Sequence, residues 1–284
     1  VEAEYLEGFK ANYLAALSIS GGKVGFAYID VTTGDFQATS WQASKMDDYF
    51  SKEINRASPS ELILPLSLKK NNSIQNVLLS YPKIAVSYYP DWDFSLDFSY
   101  KKLTKQFGVN NLKAFLLDEK SSEVGPAGFL LDYLEKTTNA NLLHIKSIKV
   151  YSDSDFLILD DASRKNLEIT ENLRDGSIQF SLFECVNYAK TAMGSRLLKN
   201  WLVFPLTNIN QIEERQNRID VFVNNRQLLA NVASDLSNIL DVERLSGRIA
   251  MSKAHAKDLQ ALKNSLLLWT KVKSYLNQYD FSLL

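Results

Sequence analysis

Three apolar, β-rich segments stand close together near the start of the chain: Tyr13 to Ile19, Val24 to Val31 and Phe36 to Trp41. They are separated by Ser20-Gly21-Gly22-Lys23 and Thr32-Thr33-Gly34-Asp35, short glycine-bearing connections of the kind that close hairpins. The spacing predicts an antiparallel three-stranded meander. Its strands are apolar nearly throughout (Ala15, Ala16, Leu17; Phe26, Ala27, Tyr28, Ile29), so both faces should be covered rather than one left in water.

Beyond the meander, helical and strand patterns alternate. Ser44 to Asn55 carries Met46, Tyr49, Phe50 and Ile54 at the spacing of an amphipathic helix, and Pro59 ends it. A short strand over Glu61 to Leu64 stops at Pro65, a helical stretch covers Ile74 to Leu79, and another strand covers Ile84 to Tyr88. Helices at about Phe98 to Phe107 and Pro126 to Thr137, the latter with Pro126 at its start, would cover the sheet. This order is that of a ribonuclease-H-like mixed sheet, although periodicity does not give the strand order.

The pattern changes at about Lys149 to Phe156, where Ser152-Asp153-Ser154-Asp155 is polar and turn-forming. Past that point the chain reads as helical. Asn208 to Phe222 places Ile209, Ile212, Ile219 and Phe222 on one helix with Asn208 as N-cap, and further helices are expected over Asn225 to Asn238, Val242 to Met251 and Lys257 to Tyr279. The expected fold class is therefore an α/β N-terminal domain, a mixed sheet with flanking helices, followed by an all-α helical domain. A boundary near residue 152 would give domains 1–152, including a linker over 1–11, and 153–284. Two domains also suit the 284 residues of the chain.

Composition narrows the function classes. Thirty-two basic against thirty-three acidic residues leave a net charge of -1, so no global positive field would draw the chain onto nucleic acid or anionic lipid. A single cysteine, Cys185, excludes an internal disulfide and a multi-cysteine zinc site, which fits a reducing, cytoplasmic setting. No apolar run reaches the length of a membrane span, and the first residues lack the layout of a signal peptide. The chain starts at Val1 and closes within a helical pattern, as expected of an internal piece of a longer polypeptide.

A search for catalytic chemistry returns little. Ser20-Gly21-Gly22-Lys23 lacks the spacing of a phosphate loop and reads as a hairpin turn. A nuclease of this fold would need clustered carboxylates, and Asp30 at a strand end could be offered as one metal ligand, but Asp35 sits in a turn where aspartate serves the backbone. The two histidines, His144 (a half-buried strand residue by its neighbours) and His255 (solvated before a helix), form no zinc motif or triad. Cys185 reads as a small buried hydrophobe. No catalytic, cofactor-binding or metal residue is nominated. In Asp241-Val242-Glu243-Arg244, Glu243 and Arg244 are expected to point away from the Val242, Leu245, Ile249 stripe, in position for an interhelical ion pair.

One stretch carries a family signature. Asp160-Asp161-Ala162-Ser163-Arg164-Lys165-Asn166-Leu167-Glu168 is similar to the segment that opens the core domain of the MutS family of mismatch-repair proteins, D-x-A-[TS]-R-[RK]-N-L-E. Thr191-Ala192-Met193-Gly194-Ser195-Arg196-Leu197-Leu198-Lys199-Asn200-Trp201-Leu202 with Pro205-Leu206 resembles the T-x-M-G-x-R-x-L-x-x-W-L-x-x-P-L run of that family. Ile212 through Ile219 and Asp241 to Leu245 with Arg248-Ile249-Ala250 also look like it. Independently, Asn12 to Ala16 and Gly25 to Phe36 resemble the start of the family's connector domain, which is ribonuclease-H-like without nuclease activity.

The resemblance implies an internal, non-catalytic connector and core module of a mismatch-repair protein, passing state between mismatch recognition and an ATPase that this chain lacks. It implies MutL as partner through the connector, mismatched DNA through domains not present here, a homodimer in the parent protein, ATP and magnesium only in the full-length protein, and a cytoplasmic location. The motif residues Asp160, Arg164, Asn166, Glu168, Met193, Gly194, Arg196, Trp201, Pro205, Glu243 and Arg244 are expected to do structural work. Met193, Leu197, Leu198, Trp201 and Leu202 should form one apolar core-facing stripe, Gly194 should admit another backbone, and Arg164 and Arg196 could either anchor buried ion pairs or face the ATPase of the parent protein. The alternatives are a metal-dependent nuclease built on the sheet carboxylates, led by Asp30, and a helical scaffold unrelated to repair.

Overall fold

The structure is a computed structural model that describes residues 12–152, 156, 157, 159 and 161–277. It divides into two compact units, a sheet unit over 12–152 and a helical unit over most of the rest.

In the sheet unit, β1 (Tyr13–Ser20), β2 (Lys23–Asp30) and β3 (Asp35–Gln42) form the expected antiparallel meander, with Ser20 paired to Lys23 and Asp30 to Asp35. The first turn consists of Gly21 and Gly22 at φ 57° and 76°, two successive positive values that match the right-handed strand twist and that only glycine adopts cheaply. β4 (Glu61–Pro65) adds parallel to β1, β5 (Ala85–Tyr89) parallel to β4, and the two-residue β6 (Lys149–Val150) parallel to β3, for the order β5-β4-β1-β2-β3-β6. β6 has no counterpart among the strands expected from sequence, where its surroundings read as a polar turn.

Both faces of this sheet are covered. Ala16, Ala27, Ile29 and Ala38 pack with Leu130, Leu131 and Leu134 of α4 (Val124–Thr138) and Leu103 of α3 (Leu96–Phe107). The alternating residues Leu17, Phe26, Leu62 and Leu64 are equally buried on the opposite side, where Trp41 stacks on Tyr49 of α1 (Met46–Ala57) and α2 (Asn72–Leu79) packs on α1. Gly128 sets the α3–α4 approach, since a Cβ there would lie 2.3 Å from the Ser99 side chain. His144 is half-buried but lies in the loop that precedes β6, not in a strand: its Nε2 meets the Val31 carbonyl at 2.7 Å.

The helical unit holds α5 (Asp161–Asn166), α6 (Leu182–Val186), α7 (Ala192–Val203), α8 (Ile209–Asn224), α9 (Arg226–Leu236), α10 (Val242–Ala250) and α11 (Ala256–Leu276). Short polar side chains start three of them: Ser181, Thr191 and Asn208 accept from the backbone amides of Glu184, Gly194 and Gln211. Apolar burial is thinner here. Its clearest cluster joins Leu228 and Val232 of α9 to Val272 and Leu276 of α11. Tyr279, expected to close the last helix, lies outside the described residues.

Candidate functional site

Of the motif residues, Asp160 lies outside the described residues. Arg164 and Asn166 sit on α5, Arg164 half-buried and Asn166 exposed at the helix end. Glu168 comes next at φ 46°, a left-handed conformation that strains a residue with a Cβ. Its carboxylate accepts from the Leu173 amide at 2.7 Å and its carbonyl accepts from the Leu182 amide, so it ties both ends of the loop that delivers α6. That helix buries Phe183 but leaves Cys185 exposed, against the expectation of a buried hydrophobe: five residues make too short a helix to bury more than one face.

The structure brings together α7 and the start of α10. Arg196 reaches Asp241 with both terminal nitrogens, Nη1 to Oδ2 at 2.7 Å and Nη2 to Oδ1 at 2.8 Å, and Nη2 also meets Glu243 Oε2 at 2.6 Å. The planar guanidinium matches a carboxylate in this forked geometry, which fixes angle as well as distance. Asp241 in turn accepts from the Arg244 amide at 3.2 Å, so the acid that holds α7 also satisfies the first turn of α10. Burial alone would lower the Arg196 pKa, but hydrogen bonds and charge from Asp241 and Glu243 outweigh it and raise it. For Asp241 burial works to raise the pKa, and the Arg196 hydrogen bonds outweigh that and hold it below the ordinary carboxylate value.

Arg244 departs from its expected place. It is buried rather than turned outward, with Nε 3.8 Å from Asp241 Oδ2, because the hub draws it inward. Gly194 departs too: its amide donates to Thr191 Oγ1, and the nearest obstacle to a Cβ is that same oxygen at 3.1 Å. The glycine serves its own helix cap, not the approach of another backbone. The apolar stripe of α7 is not a closed core either, since Leu197 and Trp201 are 50% and 38% exposed while Met193, Leu198 and Leu202 are half-buried.

Trp201 has a different partner. The Arg215 guanidinium of α8 lies 3.9 Å above its ring, at a groove of about 420 Å³ lined by Leu206, Gln211, Arg218 and Phe222. Burial lowers the pKa of Arg215. Pro205 contributes its carbonyl, which accepts from the Leu157 amide at 2.8 Å beside a Phe156–Leu206 bridge. Sequence reasoning missed Asp241 as the centre of the hub and Arg215 as the partner of Trp201. An aspartate directly before the Val242 stripe was the one available signal for the first, and nothing local pointed to the second.

Asp30 is fully buried and accepts from the Asn12 amide, the Thr32 amide and the Thr32 hydroxyl, while Asp35 accepts from Tyr13 and Gln37. Both carboxylates are engaged in holding the turn and sheet. Among the described residues no group of three or more His, Cys, Asp or Glu could hold a metal ion, and no helix is long and apolar enough to cross a membrane.

Comparison with known proteins accounts for both units. Residues 12–146 match the family model for MutS domain II, and residues 162–283 that for MutS domain III. The DNA mismatch repair protein MutS of Treponema denticola is 46% identical over 276 residues, covering 93% of this chain and 31% of the relative. Those of Treponema pallidum and Symbiobacterium thermophilum are 39% and 36% identical, over 94% and 96% of the chain. The chain thus spans about 31% of the length of these relatives.

Proposed function

The chain belongs to the MutS family of DNA mismatch repair proteins and carries its domains II and III, and on that premise we propose that it is a non-catalytic connector and core module. Its work is to pass state between mismatch recognition and ATP hydrolysis, both performed elsewhere in the longer protein. In this reading the sheet unit offers MutL a surface, mismatched DNA is held by other domains, the longer protein pairs as a homodimer in the cytoplasm, and ATP and magnesium bind outside this chain.

The observation that carries the reading is the Arg196 hub. Three polar residues of the motifs fix α7 against the start of α10, with Arg196, Asp241 and Glu243 joined at 2.6–2.8 Å. Mechanical coupling requires elements that hold a discrete arrangement and shift as bodies, and forked ion pairs between helices supply that. In the full-length protein, Arg196→Ala should leave mismatch affinity and basal ATP hydrolysis near wild type while reducing the change in ATP turnover that a mismatch causes. An unchanged mismatch response would defeat the proposal, as would ATP hydrolysis by the purified 284-residue chain.

A further inference from the structure

The last strand of the sheet unit is too short to hold itself. β6 consists of Lys149 and Val150, paired with Gln37 and Ala38, and the Tyr151 amide adds one bond to the Ala38 carbonyl at 3.1 Å. A parallel pairing of two residues at a sheet edge is marginal, and such ends normally fray. Yet Tyr151 is 5% exposed, as buried as the core, immediately before the described sheet unit ends at Ser152.

The side chain explains it. The Tyr151 hydroxyl donates to Glu53 Oε2 at 2.5 Å, and Glu53 is 1% exposed in the middle of α1. Arg56, one turn further along α1, lies 3.6 Å from the other Glu53 oxygen and places its guanidinium 4.4 Å from the centre of the Tyr151 ring. Tyr28 of β2 meets the same ring edge-on at 6.4 Å. One phenol thus satisfies a buried carboxylate, covers a buried cation and packs on the central sheet. A buried acid and base of this kind add little net stability but strongly favour the one arrangement in which all their bonds are made.

We propose that Tyr151, Glu53 and Arg56 form a latch that fixes the point at which the chain leaves the sheet unit for the helical unit, so that displacement of the exit segment is met by α1 rather than lost in a loose linker. The latch deepens the coupling role proposed above and rests on it for its purpose. As positioning residues, its members should control local order more than global stability. Removing the phenol oxygen by Tyr151→Phe keeps the ring under Arg56. Tyr151→Leu removes both contacts.

Hydrogen exchange of this chain, followed by mass spectrometry, separates the two effects. In the Phe variant the amides of residues 149–152 should exchange about tenfold faster, the loss expected for one hydrogen bond to a charged group, while α3 and α4 stay within about twofold of wild type. The Leu variant should exceed the Phe variant at the same amides. Unchanged exchange at 149–152 in the Phe variant would overturn the latch, and so would an increase spread evenly over α3 and α4, which would make Tyr151 an ordinary core residue. Because coupling is judged by the mismatch response of the Arg196→Ala protein, either idea can fail without the other.

Discussion

The two units solve the same problem by different means. The sheet unit excludes water from both faces of its sheet, with residues such as Phe26, Phe50, Leu62 and Leu130 fully buried. The helical unit relies on charge-assisted contacts between helices: Arg196 with Asp241 and Glu243, Lys271 with Asp235 at 2.9 Å, and Arg248 with Asp258 at 3.0 Å. Apolar burial is non-directional and roughly proportional to area, so it makes a rigid block whose interior opens only at high cost. Ion pairs are directional and can be exchanged for others at modest cost, so they suit helices that must hold one arrangement and be able to take another.

The comparison can be broken by truncating matched core residues. Phe50→Ala in the sheet unit should cost about 3–5 kcal/mol in urea unfolding, because its fully enclosed site cannot collapse around the lost ring. Leu228→Ala, in the small α9–α11 cluster, should fall near about 2 kcal/mol, the lower end for such changes, since its surroundings can relax toward solvent. Equal losses would mean that the helical unit is packed as tightly as the sheet unit and that the contrast is false.

A smaller effect sharpens the other half of the contrast. Arg196→Ala should destabilise the helical unit by about 1.5 kcal/mol, the lower end for hydrogen bonds to charged groups, because the site keeps some water. Arg196→Lys, which keeps the charge but loses the fork, should recover only part of this. Circular dichroism of the chain in urea measures both. Full recovery by lysine would show that charge alone, without forked geometry, holds α7 to α10.

How much of the fold and the hub is legible in the sequence depends on where each signal resides. The meander can be read because glycine at two adjacent turn positions and apolar runs at short spacing are local facts, and the start of α8 can be read from its Asn208 cap for the same reason. β6 cannot: a two-residue strand has no periodicity, and what holds it is Glu53, nearly a hundred positions away. The apolar positions of α7 do form a stripe, but not the closed core expected of them, since Leu197 and Trp201 stay partly exposed. Periodicity says which residues share a face but not what covers it. Arg196 is recognisable as an ion-pair anchor, whereas its partner Asp241 and the burial of Arg244 depend on how α7 meets α10, a distance of 45 positions in sequence.

The smallest predicted effect separates the units by pH. His144 has its pKa lowered below 6.5 by burial, with the Val31 carbonyl and Asp30 opposing, and its Nδ1 is buried without a hydrogen-bond partner. The folded state therefore prefers neutral imidazole, and its contribution is complete above 6.5 and lost as pH falls through the lower folded value. Asp241 has its pKa depressed below 3.8: burial opposes this, but the Arg196 hydrogen bonds prevail. Its contribution is complete above 3.8 and lost as pH falls through the folded value. Bringing the chain from neutrality to about pH 5 should weaken the sheet unit through His144 while leaving the Arg196–Asp241 hub intact. Exchange-detected urea midpoints for each unit at the two values test this, with His144→Gln expected to flatten the sheet-unit change. A helical-unit midpoint that falls first would place the acid-sensitive group on the wrong side of the comparison.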